Sequence, residues 1–143
     1  MEKYLTVKSE LIEIEKIRRF LEQTLKDLRL SEEAYYLIEL SLLEICINIV
    51  RYAYPEKKGV ISLKIWNHGN VIFFEIKDRG IPFDPRSARA PDIQEIIKEG
   101  RKGGLGIFLS RQLMNGFEYR REDNQNILTM NKRIEDSNIA GSV

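Results

Sequence analysis

Four polar side chains interrupt an otherwise apolar stretch of this sequence. Ser41, Glu44, Asn48 and Arg51 stand within LSLLEICINIVRY, and every other position from Leu40 to Val50 is apolar. Offsets of 0, 3, 7 and 10 place the four on one stripe of a 3.6-residue helix. A carboxylate or an amide buried on such a helix is costly unless something pairs with it. The stripe therefore lines a polar cavity, or it is the narrow wet face of a mostly buried helix.

Two further patterns could do chemistry. Asp78-Arg79-Gly80, followed by Pro82-Phe83-Asp84-Pro85, falls where a strand ends. A carboxylate there can accept from an amino group, and a glycine two residues on lets the backbone approach a flat ring; taken alone, D-x-G is also a plain turn. Gly103-Gly104-Leu105-Gly106 precedes the apolar run IFLSRQLMN and follows Arg101 and Lys102. Backbone N–H groups converging at a helix start, with two cations beside them, suit phosphates. The same glycines could equally be a hinge. They are not a P-loop, since no G-K-[ST] follows. Nor are they a dinucleotide fingerprint, since Leu109 occupies the third glycine position.

The elements that must position these residues are legible from periodicity. Tyr4 to Lys8 alternates and reads as a short strand. Leu11 to Leu30 has helical apolar spacing, and Ser31 caps a second helix expected to run to about Tyr54, before Pro55. VISLKIW and VIFFEIK flank Asn67-His68-Gly69-Asn70 as a β-hairpin, and the second strand ends at Asp78. Asp84 to Lys102 is polar and charged, with a possible short helix at 93–98. It reads as a lid-like loop that orders when a ligand binds, or as a permanently solvated charged loop. A helix from Gly106 to near Gly116 follows, and then two strands, FEYRRE and NILTMNKR. The order predicts an α+β two-layer sandwich of the α/β class: one mixed, mostly antiparallel sheet with helices on one face. Residues 1–135 form one expected domain and 136–143 a frayed tail.

Composition narrows the function classes. Twenty-three Lys and Arg against 22 Asp and Glu leave a net charge of +1, which argues against a broad nucleic-acid surface. No apolar run reaches the ~20 residues of a membrane span, and no leader opens the chain, so a cytoplasmic protein is expected. The single cysteine, Cys46, allows no internal disulfide and reads as a core residue. His68, the one histidine, falls in the hairpin turn and reads as solvated.

Taken together, E-x-x-x-N on a helix, D-x-G at a strand end and G-x-G at a later helix start resemble the GHKL ATP-binding superfamily. DRGIPFDP, GGLGIFLSRQLMN and NILTMNK resemble its bacterial anti-sigma-factor serine kinases, over nearly the whole chain. The resemblance implies the Bergerat fold, ATP and Mg²⁺. It implies Glu44 as general base beside the γ-phosphate and Asn48 as the Mg²⁺ ligand, an oxygen donor suited to a hard ion. Asp78 would accept from the adenine amino group, with Gly80 and Pro82 beside the ring. Arg51 and Tyr52 would border the nucleotide, Arg101, Lys102, Gly103, Gly104, Leu105 and Gly106 would wrap the phosphates, and Thr129 would come from the last strand. Lys102 stands where the kinases carry an arginine, keeping the charge and losing the planar fork. The implied partners are an anti-anti-sigma protein as phosphoacceptor, a sigma factor and a second copy in a homodimer, with no nucleic acid and no membrane. The alternative is an ATP-gated binding module of the same fold with little or no kinase activity.

Overall fold

The computed structural model describes residues 1–82 and 114–135. Five strands form one sheet: β1 (Glu2–Lys8), β2 (Val60–His68), β3 (Val71–Asp78), β4 (Gly116–Glu122) and β5 (Gln125–Arg133). Their order is β1-β2-β3-β5-β4, and every neighbouring pair is antiparallel. No parallel pair of the expected mixed sheet occurs among the described residues.

Alternation sorts each strand into two faces. Ile61, Leu63 and Ile65 of β2 share the inner face with Ile72, Phe74 and Ile76 of β3 and Leu128 and Met130 of β5. The two helices, α1 (Ile14–Leu25) and α2 (Glu32–Asn48), close over this face. Ile17, Leu21 and Leu25 of α1 and Ile38, Leu42 and Cys46 of α2 complete the core. Cys46 is fully buried, and burial pushes its thiol up to about 12, so it packs as a small apolar group. On the outer face, Trp66 and Phe73 stack with ring centroids 5.2 Å apart, and the Lys64 ammonium lies 4.6 Å from the Trp66 centroid.

The helices differ from their expected bounds in ways that reach the site. The first helical segment opens and closes with 3₁₀ turns, Leu11–Glu13 and Lys26–Leu28, and ends where Arg29 adopts φ 55°. The Ser31 hydroxyl accepts from the Ala34 N–H at 3.1 Å, the expected N-cap of α2. Instead of continuing to Tyr54 as α-helix, α2 passes at Ile49 into a π turn, Ile49–Ala53. The β2–β3 hairpin turns at Gly69, φ 57°, and His68 is exposed at the strand end. The β4–β5 hairpin turns through Asp123 and Asn124, both at positive φ, as a two-residue turn between twisted strands requires. No helix among the described residues is long and apolar enough to cross a membrane. The glycine-rich segment, the lid with its short helix, the helix that follows and the tail from 136 lie outside the described residues.

Candidate functional site

Strand parity brings the site together. Asp78 ends the inner row of β3, directly opposite Asn126 in the inner row of β5. Their nearest neighbours in the two rows are apolar, Phe74 and Ile76 beside Asp78 and Leu128 and Met130 beside Asn126, so two polar side chains arrive buried at one end of the core, each 5% exposed. Their hydrogen bonds account for the burial. Asp78 Oδ1 accepts from the Gly80 N–H and from Asn126 Nδ2, each at 2.9 Å. Asn126 Nδ2 also donates to the Ile81 carbonyl at 2.7 Å. Asn126 Oδ1 accepts from the Tyr119 hydroxyl at 2.5 Å and from Arg121 Nη1 at 3.1 Å. The same Arg121 nitrogen donates to the Gly80 carbonyl at 2.7 Å. Burial raises the Asp78 pKa, opposed by the hydrogen bonds from Asn126 and Gly80 and by the Arg121 charge.

Above this pair opens a narrow pocket with a cavity volume of about 30 Å³. Ile45, Ile76 and Leu128 make its walls, Asp78 and Asn126 its polar end, and Asn48 and Tyr52 lie on the α2 side. A mostly apolar slot with a few convergent polar groups suits a flat heterocycle.

The π turn decides which residues of the polar stripe reach the pocket. A π turn takes more residues per turn than an α turn, so the helical phase slips after Asn48. Tyr52, 57% exposed, follows Asn48 into the lining. Arg51 is exposed and does not line this pocket. Earlier on the stripe, Ser41 is fully buried and Glu44 half-buried. Among the described residues, Ser41 Oγ and Glu44 Oε2 are buried without a hydrogen-bond partner. An orphaned carboxylate oxygen one turn from the Asn48 amide is a donor set suited to a hydrated hard cation and its anionic ligand.

Gly80 serves the protein's own backbone. A Cβ there would collide with the carbonyl oxygen and Cβ of Ala53, the last residue of the π turn. The Ile81 N–H donates to that Ala53 carbonyl at 2.8 Å. The Tyr54 hydroxyl accepts from the Arg79 N–H at 2.7 Å and donates to the Val60 carbonyl at 2.8 Å. The D-R-G loop is therefore pinned to the end of α2 by Ala53 and Tyr54. Pro82 is exposed where the description of this segment ends.

Thr129 lies away from the pocket. It pairs with Glu75 and Glu118 on the outer face, one residue out of phase with Leu128 and Asn126, and does not line the pocket. Asn126, on the inner face of the same strand, lines the pocket. The signal was present as a polar residue in phase with Leu128 and Met130. Tyr119, Arg121, Ala53 and Tyr54 carried no local signal. Arg101, Lys102, Gly103, Gly104, Leu105 and Gly106 lie outside the described residues.

Two helices on one face of an antiparallel sheet, with a polar-ended pocket between α2 and the sheet, define an α+β two-layer fold. A family model of the histidine kinase-like ATPase domain matches residues 7–132, and the chain belongs to that family. Similar curated proteins include serine-protein kinase RsbW of Bacillus cereus (strain AH820) and of Bacillus anthracis. Each is 28% identical over 102 residues, covering 68% of this chain and 63% of the relative. The chain thus spans somewhat under two thirds of the length of the relatives it matches. Among solved structures, the RsbU and RsbW domains of a Mycobacterium tuberculosis protein superpose with a TM-score of 0.66 at 15% identity. That match covers 93% of this chain and 32% of the other. The histidine kinase domain of a blue-light activated kinase from Erythrobacter litoralis gives 0.53 at 18% identity, covering 73% and 46%. At these identities the likeness is one of fold.

Proposed function

We propose that this chain is an ATP-dependent protein serine/threonine kinase of the cytoplasm and an anti-sigma factor. It phosphorylates a small anti-anti-sigma protein and sequesters a sigma factor by partner switching, as one domain over residues 1–135 acting in a homodimer. The observation that carries the reading is the apolar pocket ending in Asp78, with Asn48 at its α2 side and the unpartnered Glu44 oxygen one turn earlier. The family match and the likeness to RsbW kinases support it.

In this reading Asp78 accepts from the adenine amino group while Ile45, Ile76 and Leu128 sandwich the ring. Tyr52 covers its exposed edge. Asn48 Oδ1 would hold Mg²⁺, which would supply neutralisation of phosphate charge. Glu44 takes the proton of the incoming serine hydroxyl; its Oε2, lacking another partner, is available to do so. Arg101, Lys102 and the glycines 103, 104 and 106 are the residues assigned to the phosphates.

Labelled ATP·Mg²⁺ incubated with this chain and a serine-bearing anti-anti-sigma protein tests the reading. Transfer of label to that protein is the expected result. Nucleotide-dependent binding of the partner without transfer would instead support the gated binding module. The same assay with Asp78→Asn should show weaker ATP binding and a relaxed preference over GTP.

A further inference from the structure

Asn126 is buried, makes hydrogen bonds at both ends of its amide, and is not explained by packing alone. Its orientation follows from its neighbours' chemistry. The Asp78 carboxylate and the Ile81 carbonyl only accept, so they must face the NH₂ end. The Arg121 guanidinium only donates, so it must face the oxygen, and the Tyr119 hydroxyl donates there too. A flipped amide would set an oxygen against two acceptors. The arrangement has one solution, and in it Asn126 donates to Asp78.

The two donors to Asp78, Asn126 Nδ2 and the Gly80 N–H, both use Oδ1. Hydrogen bonds from N–H groups favour the charged carboxylate, and concentrating them on one oxygen leaves the other for the pocket that Asp78 lines. We infer that Asn126, locked by Tyr119 and Arg121, is the positioning residue that keeps Asp78 an ionised acceptor. The pocket thereby selects a heterocycle edge that donates a hydrogen bond. The inference rests on the nucleotide reading for its ligand, and on geometry alone for the Asn126–Asp78 coupling.

Burial acts the other way. Asp78 sits among Ile76, Leu128 and the Cys46 side of α2, with Tyr54 and Arg79 on the loop side and Tyr119 and Arg121 on β4. Its environment already raises its pKa, and the Asn126 hydrogen bond is the foremost influence opposing that. Without Asn126 the balance tips toward a protonated carboxyl. A protonated carboxyl gains an O–H donor and keeps only a weaker, neutral acceptor for an amino group.

The test is made on the full chain with Asn126→Ala, Asn126→Thr and Tyr119→Phe. First, the Asp78 carboxyl is titrated by NMR in the ligand-free proteins. Its pKa should rise in Asn126→Ala, rise less in Tyr119→Phe, and return toward the parent in Asn126→Thr, whose hydroxyl can donate to Asp78. Second, calorimetry measures ATP and purine riboside triphosphate, which lacks the amino group, between pH 5.5 and 8.5. In Asn126→Ala, ATP affinity should fall roughly tenfold at low pH, about one pKa unit of lost interaction. It should recover as pH rises, while the purine analogue changes little. An unshifted Asp78 pKa in both Asn126→Ala and Tyr119→Phe would overturn the inference. So would equal, pH-independent losses for the two nucleotides. A shifted pKa in a protein that binds neither nucleotide would uphold the coupling and overturn the nucleotide reading instead.

Discussion

Replacing Gly80 by alanine separates two reasons for a glycine in the D-x-G loop. Its φ lies outside the left-handed region, so conformational freedom is not the issue. The added methyl would meet Ala53's carbonyl oxygen and Cβ, atoms of a buried turn that cannot swing aside like the end of a long side chain. Overpacking of this kind costs roughly 1–3 kcal/mol. Pushing the loop away also strains the Ile81–Ala53 hydrogen bond of 2.8 Å and the Arg121–Gly80 bond of 2.7 Å. Losing one of them adds about 1 kcal/mol. The sum, about 2–4 kcal/mol, lowers Tm by roughly 4–16 °C for a domain of this size. Urea and thermal unfolding of the ligand-free protein read it directly. If glycine were needed only for approach of a bound ring, Gly80→Ala would keep parental stability and lose only nucleotide affinity. A ligand-free variant with an unchanged denaturation midpoint would therefore refute the backbone argument.

The remaining predictions concern the charged and polar groups around the pocket. Glu44→Gln should keep ATP binding and cut phosphoryl transfer by roughly 10²–10⁴, read in single-turnover assays; near-parental transfer would give Glu44 another role. Glu44→Leu should abolish transfer yet stabilise the ligand-free protein by about 1–3 kcal/mol, because it removes a buried oxygen without a partner; denaturant titration measures this. Asn48→Ala should weaken ATP·Mg²⁺ binding in calorimetry with the fold intact by circular dichroism, and unaltered affinity would remove Asn48 from the metal site. Asp78 binds its proton more tightly folded than unfolded, since burial raises its pKa. Its contribution to stability is thus present below about pH 4 and lost as pH rises through the folded value. Asp78→Asn lacks that loss, so its stability relative to the parent should climb over this window in parallel denaturant curves.

Local pattern was sufficient for much of this protein. Alternation in VISLKIW and VIFFEIK, helical spacing from Leu11 and from Leu40, and the Ser31 cap are nearest-neighbour properties, and the structure carries each of them. The polar stripe of Ser41, Glu44 and Asn48 was legible for the same reason: a helix repeats on a period that the sequence displays. Where that period changed, the reading failed. Nothing local in IVRYA announces a π turn; its last residue, Ala53, meets Gly80 and Ile81 on another element, and Tyr52 but not Arg51 lines the pocket. The partners of Asp78 were likewise beyond sequence reach. Asn126 lies 48 residues away and meets Asp78 only because β3 and β5 pair in one register. A shift of that register by a single residue would put Thr129's face inward and Asn126 outward. The sequence by itself determined which residues could do chemistry; strand register and one irregular helical turn decided which of them share a site.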